Sequence, residues 1–358
     1  MIFVGDIALP YKDAITINMP NDFYNKVWFG NLEGSIVNNN KIFSTKSVVF
    51  NDKEAIYSII KKINFAGFSL ANNHILDVGN INDTIKFLDE LELSHCGAGK
   101  NILEASKPLQ IKENNSEIII INMGWSVIHC KSARKNKQGV NPLAKKNSLN
   151  ILDNIKRKYK NKKIVFYMHW SYELEAHPQP FERELAMALI DNGADGVIGS
   201  HSHCIGEIEI YKNKPIIYSL GNWLFKQNYY YNSKLKFPDF CNLELAFEWD
   251  FDNSKYYFHF FYYDINKSEI LYLNSDVNNC KYLSEYLNIG KYNKTEYIKY
   301  YKKNHYHKKK CLPIYYWDDN EIIIIIKKTI NKIIDIVVKI YKNKYLLLLF
   351  KRKLIINV

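Results

Sequence analysis

From residue 1 to about 225, short apolar runs alternate with longer stretches in which apolar side chains recur every three or four positions, the pattern of a layered α/β architecture. Ile2–Val4, Val27–Phe29, Phe68–Leu70, Ile118–Ile121, Ile164–Tyr167, Gly196–Ile198 and Ile216–Tyr218 read as strands. Ile81–Leu91, apolar at Ile81, Ile85, Leu88 and Leu91, and Pro180–Ile190, apolar at Phe181, Leu185, Ala186 and Leu189, read as helices with one buried face. Lys212-Asn213-Lys214-Pro215 reads as a turn between strands. The period then drops to two: Leu243, Leu245, Phe247, Trp249 and Phe251 alternate with other residues, Asp252-Asn253-Ser254 interrupts, and Tyr256–Tyr263 follows. This predicts a β-hairpin, expected at the edge of the main domain. The last stretch returns to a helical period, with Ile326, Ile330, Ile333, Ile334, Val337 and Tyr341 on one face and Lys327, Lys328, Lys332, Asp335 and Lys339 on the other.

The chain has 358 residues, 47% hydrophobic and 15% aromatic, enough to bury a sizeable core, which excludes disordered and fibrous classes. Its formal net charge of +12 invites a polyanion partner until the charge is located. Residues 1–300 carry 35 basic and 33 acidic side chains, whereas residues 301–358 carry 14 and 4. The surplus therefore belongs to the tail, and with no nucleic-acid reader motif beside it, a nucleic-acid partner is not expected. Two units are expected, a main domain over 1–265 and a basic, Lys/Ile/Tyr-rich helical region over 266–358.

The six cysteines, Cys96, Cys130, Cys204, Cys241, Cys280 and Cys311, are scattered without a Cys-x-x-Cys pair, as expected of reduced thiols. The start, Met-Ile-Phe-Val-Gly-Asp, has no basic leader, and the apolar runs Ile322–Ile326 and Tyr345–Phe350 fall short of the ~18–20 residues of a membrane span. Together these give the expectation of a cytoplasmic protein, with peripheral contact at the inner membrane face through the tail as an alternative for the last helix.

Candidate chemistry lies where the strands stop. Five apolar runs end in residue types that coordinate metals: Asp6, Glu33, Asn73-His74, His169, and His201 with His203. In α/β sheets ligands gather outside the carboxyl ends of the strands, so these endings are placed to converge on one cleft. Ser200-His201-Ser202-His203 is read as extended, with alternate residues sharing a side. Two carboxylates, an amide oxygen and imidazoles make a mixed O/N set suited to Mn, Fe or Zn, one or two ions per chain, and Glu33 can bridge. Two ions about 3.5–4 Å apart polarise a phosphoryl oxygen and acidify water, and a non-ligand imidazole, His74, can protonate a leaving oxygen.

These residues in this order resemble the CapA family of capsule-synthesis proteins (poly-γ-glutamate capsule biosynthesis), within the calcineurin-like metallophosphatases. The resemblance rests on Gly5-Asp6-Ile7, Asn31-Leu32-Glu33, Leu70-Ala71-Asn72-Asn73-His74 with Asp77 and Gly79, His169-Trp170-Ser171-Tyr172-Glu173, and the block from Gly193 through Ser-His-Ser-His to Gly221-Asn222. It covers about residues 1–227 and implies a four-layer α-β-β-α sandwich, to which the periodicity adds a β-hairpin and a C-terminal helical appendage. Carried over, it implies Asp6 and His203 on one metal, Asn73, His169 and His201 on the other, Glu33 between them, His74 as general acid and Asp77 orienting it. Asn31, Asn72, Glu173 and Asn222 are expected to contact substrate. The wider pattern ends the first strand Asp-x-His, whereas here the third position is Ala8, which implies one tight and one loose metal.

The expected function is a metal-dependent phosphatase or phosphodiesterase acting in capsule or surface-polysaccharide biosynthesis, on a phosphorylated small molecule or an anionic polymer. The alternative is a non-hydrolytic accessory for synthesis or export of an anionic polymer such as poly-γ-glutamate. The basic residues Lys131, Arg134, Lys135 and Lys137 in the loop 124–147 are expected to be solvated, or else to meet a substrate phosphate. For the last helix, packing of the Ile face onto the domain is the commoner arrangement, and docking on a membrane surface is the alternative.

Overall fold

Along Ile2–Ala8 (β1) neighbouring side chains go to opposite cores: Met1 and Phe3 to one that lies between two sheets, Ile2 and Val4 to one that helices cover. Lys163–His169 (β8) divides the same way, with Val165 and Tyr167 between the sheets and Ile164, Phe166 and Met168 on the helix side. Strands apolar on both faces belong in the interior of covered sheets, and their covering produces four layers. The computed structural model describes residues 1–38, 48–276, 283–306 and 311–356, with side chains described as far as 340 except at 276 and 339.

The strands of the two sheets, in chain order, are β1, Thr16–Asn18 (β2), Trp28–Leu32 (β3), Phe65–Ser69 (β4), Ser94–Cys96 (β5), Leu109–Glu113 (β6), Ser116–Gly124 (β7), β8, Gly196–Ser200 (β9), Ile208–Tyr211 (β10), Lys214–Ile217 (β11), Asn222–Phe225 (β12), Leu243–Asp250 (β13), Lys255–Asp264 (β14) and Glu269–Asp276 (β15). The first sheet runs β2-β15-β14-β13-β1-β3-β4-β5, with β12 also on β1, and the second runs β10-β11-β9-β8-β7-β6. The main helices are Lys53–Lys62 (α1), Ile81–Glu90 (α2), Lys145–Lys158 (α3), Pro180–Asp191 (α4), Lys294–Asn304 (α5) and Glu321–Ile356 (α6). α2 packs at β5 on the first sheet, and α4 packs at β9 on the second with α3 beside it, which completes the α-β-β-α order.

The hairpin forms as the alternation predicts, with Asp250 opposite Lys255, but its place differs from the expectation. β13 also pairs with β1, Ile2 opposite Glu248, so the hairpin lies inside the first sheet and β2 and β5 take the edges. The reason is burial on both faces: Phe247 and Trp249 enter the inter-sheet core while Ala246 packs on the other side. β15 then pairs with β14, Asp264 opposite Glu269, so the division expected at 265 falls between two strands of one sheet. Lys212 and Asn213, with φ of 50° and 60°, make a two-residue hairpin turn in which Lys214 and Pro215 already belong to β11.

Residues beyond 283 wrap onto the side of the second sheet that holds residues 172–183. Tyr306 N–H donates to Glu175 Oε2 at 2.8 Å, Tyr315 N–H to Gln179 Oε1 at 2.8 Å, and the Tyr172 hydroxyl to the Pro313 carbonyl at 2.9 Å. α6 lies on this scaffold with its faces reversed from the commoner arrangement: Ile326, Ile330, Ile333 and Val337 are exposed, while Lys327, Lys328 and Asp335 turn inward. The side chains of Lys339 and Tyr341 lie outside the described residues, as does Cys280; the other five cysteines are free thiols, four of them buried.

Candidate metal centre

Two rows of residues in register build the site. Across the first sheet Asn222 of β12, Asp6 of β1, Asn31 of β3 and Ser69 of β4 stand beside one another; across the second, Gly124 of β7, His169 of β8 and Ser200 of β9 do. Parallel strands that end together present their last side chains at a common edge, and here two such edges face each other. Gly5 permits the approach on one side: a Cβ there would meet the Gly221 carbonyl oxygen at 1.9 Å, and Asp6 N–H donates to that same oxygen at 3.1 Å. Across the sheets, the buried Tyr167 hydroxyl donates to the Val4 carbonyl at 2.7 Å.

His201 and His203 arrive differently from the expectation. β9 ends at Ser200, and the two histidines lie in a bend with φ of 98° and 58°, so they do not alternate along a strand. Such backbone costs about 1–3 kcal/mol per residue and is kept where the surroundings hold it. The hold is visible: Asp6 Oδ2 accepts from His201 N–H at 3.1 Å, and Asn222 Oδ1 lies 2.9 Å from His203 Nδ1. The His169 and His201 rings are 4.7 Å apart between centroids, and those of His201 and His203 are 5.8 Å apart.

The side chains fall into two groups that share one member. Asp6, Glu33 and His203 each offer a ligand atom within 4.8 Å of the others, and so do Glu33, His169 and His201. All five are buried. Neither carboxylate oxygen of Glu33 meets a hydrogen-bond donor among the described residues, and desolvation with Asp6 beside it pushes its carboxyl well above the usual range. Burial also pushes Asp6 up, against the pull of His203 and the Asn31 amide. His169 is driven well down by burial, then by His203 and His74, which keeps it a neutral imidazole with a lone pair to give. Paired buried carboxylates without a cation are unfavourable, so this O/N set fits divalent ions. Asn73 Oδ1, 2.8 Å from His169 Nε2, adds an amide oxygen to the second group.

His74 lies outside both groups, about one-sixth exposed, with Nδ1 2.5 Å from Asp77 Oδ2 and Nε2 3.7 Å from Glu33 Oε1. Asp77 Oδ2 also accepts from Val49 N–H at 3.2 Å, which fixes it. Of the four residues expected to contact substrate, three are used otherwise. Asn31 donates to Asp6 Oδ1 at 2.8 Å and accepts from Ser69 and Asn72; Asn72 accepts from Gly34 and His74 N–H and donates to Asn31 and Leu32; Asn222 holds His203. All three are fully buried, with their amides engaged by these neighbours. Glu173 alone is exposed, on the rim of a cavity of about 130 Å³ whose walls include Asn73, His201, Tyr172, Asn331 and Asp335.

The letters alone did not mark several supports. Ser200 Oγ lies 2.9 Å from His169 Nδ1, and Asn122 Oδ1 accepts from Ser69 Oγ at 2.9 Å and Ala71 N–H at 3.0 Å. A single polar residue inside an apolar strand, Asn122 after Ile118–Ile121, was the available signal. The basic residues Lys131, Arg134, Lys135 and Lys137 are exposed, and the part of that loop at the cavity is Val127, Ile128 and His129. Ala8 shares a buried cluster with Phe225, Tyr230 and Phe237, and His203 stacks on Phe237 at 4.3 Å.

The family model for the bacterial capsule synthesis protein PGA_cap matches residues 23–227, which takes in every residue of the site except Asp6. The chain is 30% identical over 191 residues to the capsule biosynthesis protein CapA of Bacillus anthracis, covering 51% of this chain and 46% of that one. It is 31% identical over 182 residues to the PGA biosynthesis protein CapA of Bacillus subtilis, covering 50% and 47%. The chain thus aligns with slightly less than half the length of these curated relatives. Among solved structures, a 5'-nucleotidase precursor from Thermus thermophilus superposes with a TM-score of 0.39 at 9% identity, covering 77% of this chain and 53% of that one. With more than half of its length matched, the chain belongs to the bacterial capsule synthesis protein PGA_cap family.

Proposed function

We propose that this chain is a metal-dependent hydrolase of phosphoesters, working on a phosphorylated small molecule or an anionic polymer in the making of a capsule or other surface polymer. The observation that carries the reading is Glu33, a buried carboxylate that meets no hydrogen-bond donor among the described residues and belongs to two candidate ligand groups at once. Asp6, Glu33 and His203 would hold one divalent ion, and Glu33, Asn73, His169 and His201 a second, with Mn, Fe or Zn suited to both. Bound there, such ions supply Lewis-acid polarisation of a phosphoryl oxygen and lower the pKa of water. The names of the Bacillus relatives support the capsule setting.

The remaining chemistry belongs to the chain's own side chains. His74 presents Nε2 toward Glu33, where a proton passes to the departing oxygen, and Asp77 at Nδ1 sets the ring's orientation. Asn31, Asn222 and Ser200 hold Asp6, His203 and His169 in place, the second-sphere support a metal centre needs. Glu173 and Asp335 on the cavity accept hydrogen bonds from hydroxyl or amino groups of the substrate.

The test is turnover of a panel of phosphomonoesters and phosphodiesters by the full chain after loading with Mn²⁺. Expected is hydrolysis that His201→Ala and His74→Ala both abolish, the second without loss of metal. A metal-loaded protein that turns over nothing, yet retains an anionic polymer equally well with and without the ligand substitutions, overturns the reading in favour of an accessory role.

A further inference from the structure

α6 turns its polar stripe to the protein and its aliphatic stripe outward. The inward side is engaged: Lys327 Nζ donates to Asp319 Oδ2 at 2.5 Å, Lys328 Nζ to Ser126 Oγ at 2.9 Å, Asn331 Nδ2 to the Tyr172 hydroxyl at 3.1 Å, and Asp335 Oδ2 lies 3.1 Å from His129 Nε2. Ile322, Ile325, Ile326, Ile333, Ile336 and Ile340 on the other side are 49–69% exposed. Ile330 and Val337 fill the space between them. At 3.6 residues per turn these positions cover an arc of roughly 140°. Thr329 is the polar residue within it, and Lys332 borders it. An apolar surface of this extent on a folded chain marks a contact site.

The geometry points to an anionic lipid bilayer as what covers this face, with α6 lying in the plane of the interface. Two observations select the bilayer over a second copy of the chain. A two-stranded coiled coil buries a narrow stripe at alternating spacings of three and four, which Ile323, Ile326, Ile330, Ile333, Val337 and Ile340 satisfy, but it would leave Ile325 in water and Ile322 and Ile336 only at its margin. A bilayer surface takes the whole arc. The charge agrees: Lys332 borders the arc, and the sequence past it continues as Leu346–Phe350 between Lys342, Lys344 and Lys351-Arg352-Lys353. No described helix is long and apolar enough to cross a membrane, which leaves lying on it. Asn331 and Asp335, on the opposite side of the same helix, line the cavity beside His201, so docking would set that cavity at the membrane surface.

The experiment is flotation of the full chain with phosphatidylcholine vesicles, with and without phosphatidylglycerol, at low and high salt. Expected is binding that requires the anionic lipid, weakens with salt, and falls at least about tenfold in the double variant Ile326→Glu, Ile333→Glu. Both substitutions lie on the exposed face, so circular dichroism and metal content should match the parent. Binding that the double variant retains overturns the proposal, as does absence of binding to either vesicle. A dimer in light scattering that the same variant dissolves, without vesicle binding by the parent, assigns the face to a second copy.

Discussion

Asp6 and Asn31 stand opposite each other in register on β1 and β3, and the Asn31 amide donates to Asp6 Oδ1 at 2.8 Å. The amide sits between the two ligand groups, since its nitrogen also comes within 3.5 Å of His169 Nδ1. Asn31→Ala is expected to weaken metal binding by about 10–100-fold, as loss of an outer partner of a ligand does. Titration calorimetry with Mn²⁺ checks this, and unchanged affinity would show that Asp6 needs no such support.

The His74–Asp77 contact separates chemistry from metal binding. Asp77→Asn keeps the shape but not the charge that orients the ring, so turnover should fall by roughly 10²-fold or more while bound metal stays constant. His74→Ala should fall at least as far. Equal loss of metal in both variants would make the pair structural.

The buried carboxylates make a prediction about pH. Asp6 and Glu33 have folded pKa values raised above 3.8 and 4.5, so the metal-free fold holds their protons more tightly than the unfolded chain does and loses stability as pH rises through the folded values. His169 works oppositely: its folded pKa is lowered below 6.5, so its contribution is complete above that pH and is lost as pH falls. The melting temperature gained on adding Mn²⁺ should therefore grow as pH rises through the range in which the folded carboxylates lose their protons. Glu182, pushed up to about 8 by burial, acts with the same sign in both forms and so cancels from the difference. A gain that does not change with pH would contradict the assignment.

Ala8 makes the two ligand groups unequal. One group offers Asp6, Glu33 and His203, the other Glu33, His169 and His201 with Asn73 close by, and Ala8 offers the first no further ligand atom. Dialysis followed by elemental analysis should find one retained ion and one readily lost. Two ions retained alike would rule this out.

A buried ion pair offers a stability test away from the site. Arg183 Nε and Nη2 bond the Glu209 carboxylate at 2.7–3.1 Å, the Tyr218 hydroxyl adds a bond at 2.7 Å, and Arg183 Nη2 reaches the Ile289 carbonyl at 3.3 Å. Arg183→Leu strands the Glu209 charge and should cost about 3–5 kcal/mol in urea unfolding, whereas Arg183→Leu with Glu209→Met should recover much of it. A small loss in the single variant would mean that water reaches Glu209.

What could be read from the letters was local. Apolar runs marked β1, β3, β4, β7, β8, β9 and β11 to within a few residues, because a strand covered on both faces must be apolar throughout. The residues that stop those runs, Asp6, Glu33, Asn73, His169, His201 and His203, stood out because an apolar strand gives no other reason for them. The periodicity of α6 was legible too, but not which way it faces. An amphipathic pattern fixes two faces and not the partner of either, and here Ser126, Tyr172, His129 and Asp319 claim the polar one.

Tertiary structure alone decided what long-range neighbours decide. Asn31, Asn72 and Asn222 look in sequence like groups free to meet a substrate, and pairing of β1 with β3 and β12 spends their amides on Asp6, Glu33's neighbours and His203. The hairpin 243–264 shows its alternation locally, yet its place inside the first sheet follows from β1, some 240 residues earlier in the chain. The place of Glu33 in both groups likewise exists only once two sheet edges meet. Hydrophobic period and strand-stopping polar residues are properties of neighbours in sequence, whereas a ligand group and the partner of a helix face depend on distances that only the folded chain sets.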